Sequence, residues 1–564
     1  MYVKQYLSKL INQSLNIHES EMVINNLVPP AQPEWGDVAF KTFQLASKLN
    51  LKPVELALSL EQKLKQNQEF KAKATGPYLN ITFSTGFICN LVLDHVFNRP
   101  SPPPPPEPQP TVVIDFSSPN IAKPFGVGHL RSTVIGAALY RIFKYLGYKV
   151  IGINHLGDWG TNFGMILTGY EQEGENTTQL EQDGIKYSYQ LYVRTHHKAE
   201  QDQEINNRAR EWFNKLEQGD PKAIEIWKRF REFSIKKFKQ TYQRLGIEFD
   251  HYTGESFYQH KTDEAIDFLQ KKDLTEIDQG MLIVRLDQYD LPPLLLKKSD
   301  GSTLYATREI AAVLYRLDTF NPDLLLYVVG NPQELHFKQI SAALDEAGIK
   351  IKEKLIHVKF GHILGMSTRK GTLVFLDDLI DEAVRRAKEK MQENKTISYS
   401  EREMDFISSK VGIGALVFND LKTKRIKDIE FNWDRALSFE GESGPYLQYA
   451  HARIKSIIRK SSQIPRYQPD AVLDQLNQPE EKALALAISD FPMIIEQAAR
   501  EYEPSVISRY LLDLASTFSK FYHSCQVVGS KPELLEARLC LIEGCRITLA
   551  KGLELLGIEP LNKM

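Results

Sequence analysis

Three short stretches of this sequence carry residues able to hold phosphate or RNA. The first is Gly126-Val127-Gly128-His129. Glycines there let a ligand approach the backbone closely. A helix starting at that point would offer free N–H groups and the positive end of its dipole to a phosphate. His129 could add a hydrogen bond to a phosphate oxygen. The competing reading is a tight turn in which His129 only caps the helix. The pattern is not GxGxxG, which disfavours a dinucleotide-dependent dehydrogenase. The second stretch, Gly365–Gly371 (GMSTRKG), sets Arg369 and Lys370 side by side. Positive charge on a loop suits developing phosphate charge; a solvated basic turn is the alternative. The third runs from His451 to Arg466 and holds Arg453, Lys455, Arg459, Lys460 and Arg466 without an acid, with Tyr446 and Tyr449 just before it. Lys422, Lys424, Arg425 and Lys427 form a neighbouring cluster. Aromatics beside cations fit unpaired RNA bases; a solvated amphipathic helix fits the same pattern.

The surrounding elements must position these residues. Thr111–Phe116 (TVVIDF) is a β-branched, strand-like run. A turn-rich segment follows, then a helical pattern over His129–Leu146 and a second strand, YKVIGIN. Right-handed crossover places the intervening loop at the carboxyl edge of a parallel sheet. Strand-like and helical segments alternate over 111–399, which predicts a parallel α/β domain. Residues 1–98 mix helical patterns (Val3–Leu15, Pro53–Lys65) with the strand-like Tyr78–Phe83 and predict a small α+β module. Between them, 99–110 reads RPSPPPPPEPQP, a semi-rigid polyproline linker or a proline-rich docking ligand. From 400 to 564 nearly every segment has 3/4 apolar spacing, which predicts about five helices.

Composition excludes several classes. The 564 residues are 42% hydrophobic and 25% charged, ordinary for globular domains. Lys+Arg number 70 against 72 Asp+Glu, so any RNA contact must use a local basic face. Cys89, Cys525, Cys540 and Cys545 form no CxxC pair, so neither a disulfide scaffold nor a zinc site is expected. The amino-terminal residues lack an apolar signal core, and no run is long enough to span a bilayer.

The ordered motifs resemble those of the class I arginyl-tRNA synthetase family. SSPNIAKPFGVGHLRST is similar to the segment around its HIGH motif, with Gly126 where the family usually has the first histidine. NHLGDWGTNFG (Asn154–Gly164), LPPLLLKKSDGSTLYATREIAA (Leu291–Ala312), LLYVVGNPQELHFKQ (Leu325–Gln339) and GHILGMSTRKGTLVFLDDLIDEA (Gly361–Ala383) follow in family order. LSFEGESGPYLQYAHARIKSIIRK (Leu437–Lys460) and GLELLGIEP look like its helical domain; PPAQPEWGDVAF and TGPYLNI look like its amino-terminal one.

The resemblance implies a Rossmann-like catalytic domain with an insertion, an amino-terminal α+β tRNA-contacting module and a carboxy-terminal all-α anticodon-binding bundle. It implies a ligase that joins arginine to ATP, with Mg²⁺ as part of the substrate complex. The arginyl group then passes to the 3′ end of tRNA(Arg), releasing AMP and pyrophosphate. Lys123, His129, Ser367, Arg369 and Lys370 would be catalytic. Pro124, Gly126, Gly128, His129, His336 and Met366 would bind ATP. Asp115, Asn120, His155, Tyr305, Glu309 and Gln333 would surround arginine, with Glu309 replacing the family's usual aspartate. Tyr446, Gln448, Tyr449, Arg453, Lys455 and Arg459 would meet tRNA. No tightly bound cofactor, metal site or membrane partner is implied, and the expectation is a cytoplasmic monomer.

Gly126 and Glu309 also motivate a second reading, an RNA-binding paralogue that has lost adenylation. A nucleotidyl transferase for another acceptor would leave the helical domain unexplained. Asp158 reads equally as a turn residue, and Asp377–Asp378 as a helix start rather than a metal site.

Overall fold

The structure, a computed structural model, describes residues 2–98, 105–121, 125–175, 177–299, 301–364, 375–393, 399–467 and 473–564. Its centre is a five-stranded parallel sheet: β1 (Thr111–Asp115), β2 (Lys149–Asn154), β3 (His251–Tyr252), β4 (Leu324–Tyr327) and β5 (Leu355–His357), in the order β5-β4-β1-β2-β3. Val112, Val113 and Ile114 of β1 are wholly buried, as expected for a strand covered on both faces. Chain order reverses between β1 and β4, which run in register with Asp115 opposite Tyr327. In such sheets the crevice for ligands opens beyond the carboxyl ends at this point.

Helix α1 (Gly128–Tyr145) crosses from β1 to β2. It packs unusually close to the sheet at Gly136, where a Cβ would lie 2.2 Å from Phe116. Four helices (161–172, 177–201, 203–217, 221–244) are inserted between β2 and β3. A three-stranded antiparallel sheet (275–278, 281–286, 291–297) precedes helix α2 (Tyr305–Phe320), and helix α3 (Glu334–Glu346) follows β4.

The amino-terminal module is a four-stranded antiparallel sheet backed by helices Tyr2–Leu15 and Pro53–Leu64. Its last helix, Thr85–Asn98, packs on the carboxy-terminal bundle, with Phe97 stacked on Tyr467 at 5.7 Å. Lys482 of the bundle pairs with Asp37 at 2.6 Å, so the two terminal domains touch directly. The polyproline reading falls partly on 99–104, outside the described residues. The described end is stitched down: Gln109 donates to the Gly147 carbonyl at 2.7 Å, and Pro105 lies over Gly147.

The bundle holds helices 401–421, 444–461, 479–489, 491–501, 505–524 and 532–556. These are six helices against the five expected, because the segment Pro479–Tyr502 splits into two. Pro492 lies in the first turn of the second helix, where its missing N–H is harmless, and it would break a continuous one. Helix Leu376–Glu393, expected within the central domain, packs along 401–421, so the domain boundary near 400 is a shared interface. Trp433 fills that interface, with Arg386 over its ring at 4.9 Å. No helix among the described residues is long and apolar enough to cross a membrane.

Candidate active site

The carboxyl ends of β1, β2 and β4 converge with the starts of α1, α2 and α3 on a cavity of about 270 Å³. Asp115, Asn120, Gly128, His129, His155, Tyr305, Glu309 and Gln333 all line it. The sequence separates these residues by up to 218 positions; the switch in strand order brings them together.

One side of the cavity is the start of α1. Val127 occupies the cap position and makes no side-chain cap bond, and the His129 and Leu130 N–H groups donate to the Gly126 and Val127 carbonyls at 2.9 and 3.0 Å. A Cβ on Gly128 would meet nothing within 4 Å, leaving open space for a ligand against the backbone. The His129 ring lies against Phe125 at 5.5 Å, with Nδ1 3.3 Å from the Gly126 carbonyl. Gly126 forms an isolated antiparallel bridge with Phe375, and Leu376 N–H donates to Phe125 at 2.9 Å. The segment lacking the family's first histidine therefore pairs with the chain leaving the basic loop. Lys123, Pro124, Met366, Ser367, Arg369 and Lys370 lie outside the described residues.

Three carboxylates line the other side, and two have guanidinium partners built into the fold. Arg316 pairs with Asp115 at 2.7 Å, both buried. Arg308 pairs with Glu255 at 3.0 Å. Glu309 has no lysine or arginine partner among the described residues; His155 Nε2 stands 3.8 Å away. Its Oε2 is buried and makes no hydrogen bond there. Burial favours the neutral acid, yet His155, Arg316 and the Tyr305 hydroxyl outweigh it and hold the carboxyl below its ordinary range. A buried anion lacking a full partner is costly, so the site is poised for a cation. Burial and the neighbouring Glu309 push the Tyr305 phenol well up. The Gln333 Oε1 and His336 Nε2 atoms are also buried without partners. His336 does not line the cavity; its ring packs on Tyr305 at 4.9 Å, and burial lowers its imidazole.

Asn120 is set by a bridge to Gly157, where a Cβ would come within 2.9 Å of the asparagine amide. Asp158 is a structural anchor. It pairs with Arg231 at 2.7 Å and accepts from the Ser256 N–H at 2.9 Å, which holds Glu255 toward the cavity. Asp377 opens its helix, with Arg244 at 3.1 Å, as the helix-start reading requires. Sequence reasoning missed Glu255, Arg316 and Tyr327. Arg316 carried one usable signal: it lies seven residues after Glu309, on the same helical face.

A second cavity, of about 880 Å³, opens on the bundle. Tyr449, Arg453, Ser456 and Lys460 line it at helical spacing, with Arg459 at its edge. Tyr522 and His523 join them from the end of helix 505–524, and the Arg453 guanidinium lies 4.1 Å from the Tyr522 ring centre. Three of the residues expected to meet tRNA do not line this cavity. Gln448 is wholly buried; its amide donates to the Lys410 and Glu559 carbonyls, locking the helix to the carboxy terminus. Lys455 and half-buried Tyr446 do not line the cavity.

Comparisons with known proteins agree with this layout. The family described as tRNA synthetases class I (R), catalytic domain, matches residues 104–433. The DALR anticodon binding domain matches 447–564, and the arginyl tRNA synthetase N terminal domain matches 2–83. An arginine–tRNA ligase of Alkaliphilus metalliredigens is 40% identical over 575 residues, covering 100% of this chain and 99% of the relative. Arginine–tRNA ligase 1 of Bacillus thuringiensis subsp. konkukian is 39% identical over all of both chains. Among solved structures, the Thermus thermophilus arginyl-tRNA synthetase superposes with a TM-score of 0.82 at 27% identity, covering 100% of each chain. The Plasmodium falciparum enzyme superposes at 0.78 and 27%, covering 100% of this chain and 99% of that one.

Proposed function

The chain belongs to the class I arginyl-tRNA synthetases, ATP-dependent arginine–tRNA ligases, and from that premise we propose how its own residues divide the work. Glu309 receives the substrate guanidinium, with Tyr305 and Gln333 beside it. The single observation that carries this is the pairing pattern: Asp115 and Glu255 already hold Arg316 and Arg308, while Glu309 holds neither. A guanidinium offers a planar fork of donors to a carboxylate, which a lysine ammonium does not. Asn120 and Asp115 then face the α-amino and α-carboxylate end, while His155 stands beside Glu309.

ATP lies on the start of α1, its α-phosphate near the N–H groups and His129. The arginine carboxylate attacks the α-phosphorus in line, and pyrophosphate leaves as the phosphorus–oxygen bond to it breaks. Positioning and donated positive charge are what the protein contributes. Lys123, Arg369 and Lys370 supply further charge in this proposal, and Pro124, Gly126, Met366 and Ser367 flank the nucleotide. Mg²⁺ enters with ATP, its ligands being phosphate oxygens and water. No group of three or more acidic, histidine or cysteine side chains among the described residues forms a cage for it.

In the second step a hydroxyl of the 3′-terminal ribose of tRNA(Arg) attacks the arginyl carbonyl carbon, and AMP leaves as its bond to that carbon breaks. The bundle cavity takes unpaired bases of that tRNA, stacked on Tyr449 and Tyr522 beside Arg453. The chain is proposed to act as a cytoplasmic monomer.

The test is ATP–pyrophosphate exchange with arginine, lysine and citrulline, with and without tRNA(Arg). Exchange specific to arginine supports this division of work. Equal exchange with lysine or citrulline would remove the guanidinium role of Glu309.

A further inference from the structure

Arg316 stands behind the catalytic cavity without lining it, and the ligase reaction as proposed gives it no role. It is wholly buried on α2, two turns beyond Glu309 and on the same face. Its Nη2 does two things: it pairs with Asp115 Oδ2 at 2.7 Å and donates to His155 Nδ1 at 3.1 Å. The Tyr327 and Tyr258 rings lie 5.1 and 5.9 Å from the guanidinium carbon. Burial opposes its charge, but Tyr327 and Asp115 hold the guanidinium well above its ordinary range, so it stays a cation.

The contact with His155 fixes more than position. A guanidinium has only donors, so the nitrogen it meets must accept. A neutral imidazole that accepts at Nδ1 carries its proton on Nε2. That Nε2 is buried without a hydrogen bond among the described residues and faces Glu309 Oε1 at 3.8 Å. The ring itself is clamped flat against Tyr258, at 5.3 Å and 7° between planes. Both the tautomer and the direction of the N–H are thus set from behind the cavity.

We infer that Arg316 is a positioning residue that locks His155 as the Nε2–H tautomer, presenting a neutral donor to Glu309 Oε1 and leaving Oε2 for the substrate guanidinium. The same residue neutralises Asp115, whose other oxygen accepts from Ser118 Oγ at 2.7 Å. Among the described residues the pocket then offers one carboxylate without a guanidinium partner, and so selects one cation. This inference rests on Glu309 as the guanidinium acceptor.

The test reads the tautomer directly in the full chain without ligands. Enzyme labelled with ¹⁵N-histidine is examined by two-bond ring ¹H–¹⁵N correlation, with His155 assigned by its loss in His155→Gln. The expected wild-type pattern has the proton on Nε2. Arg316→Met, which offers no donor, should mix the tautomers. It should also raise the KM for arginine about tenfold, the size of one lost hydrogen bond, with the KM for ATP unchanged. Arg316→Lys, which keeps a charged donor, should restore the Nε2–H pattern and most of the KM. If Arg316→Met does not fold, the wild-type and Arg316→Lys spectra still decide. An Nδ1–H pattern in the wild type overturns the inference, as does a folded Arg316→Met enzyme with the pattern unchanged. Loss of melting temperature in that variant without any change in arginine KM overturns it too. Failure of the guanidinium reading would look different: Glu309→Gln would leave arginine KM alone while His155 kept its Nε2 proton.

Discussion

The two cavities are built by opposite means. The catalytic one is small and walled by strand ends and helix starts, and among the described residues Asp115 and Glu255 have guanidinium partners while Glu309 has none. The bundle one is about three times larger, and cations and exposed rings line it on helix surfaces. In the proposed division of work, selectivity in the first comes from one carboxylate without a guanidinium partner in a low-dielectric site. In the second it comes from stacking and screened charge, which tolerate variation. The contrast predicts large, ligand-specific effects in one and modest, salt-dependent effects in the other.

The largest effect should come from Glu309→Gln. Removing one partner of a buried charged pair costs about 2–5 kcal/mol, so kcat/KM for arginine should fall by at least about thirtyfold in steady-state exchange. The tRNA dissociation constant should not move. Next is His129→Ala, which removes a donor to the phosphate and should cut kcat in exchange by about 10²-fold, with little change in arginine KM.

On the bundle side, Tyr522→Ala should weaken tRNA binding by about 1–3 kcal/mol in a filter or fluorescence titration, with arginine KM intact. Arg453→Gln should be milder and salt-dependent. It should lower the slope of log affinity against log salt by about 0.7 if one phosphate contact is lost. A comparable loss of arginine affinity in either bundle variant would erase the distinction between the cavities.

The smallest effect lies where the two regions meet. Arg131, two residues past His129, donates to the Lys427 carbonyl at 2.8 Å and pairs with Asp420 at 3.4 Å. Burial raises the Asp420 carboxyl to about 6, against the opposing pull of Arg131. A folded pKa above the unfolded one means a contribution present at low pH and lost as pH rises through about 6. The melting-temperature difference between wild type and Asp420→Asn should therefore shrink from pH 4 to pH 6 and then level. A difference independent of pH would contradict the buried, proton-binding carboxyl.

The sequence made the catalytic cavity more legible than the bundle one, for a physical reason. Strand ends are marked by short β-branched runs, and ordered motifs placed Asp115, Asn120, His155, Tyr305, Glu309 and Gln333 on a common edge. Helix phase is harder to read when every turn holds polar residues. In Tyr446–Arg459, polar residues occur all round the helix, so Gln448 passed for a surface contact although the carboxy terminus buries it. Tyr522 and His523 come from a helix distant in sequence, and only packing brings them to Arg453. Arg316 looked like an ordinary helical cation because nothing in its neighbourhood announces a buried partner 201 residues upstream. The split at Asp490 was readable from Pro492, but the apolar period continued across it and masked the break.

The most direct measurement is the ratio of kcat/KM for arginine to that for citrulline, its uncharged analogue, in exchange with tRNA(Arg) present. It is compared between wild type and Glu309→Gln. An unpaired buried carboxylate predicts a large preference for arginine in the wild type and its collapse toward parity in the variant. A ratio that survives the substitution would mean that the substrate cation is read elsewhere in the cavity.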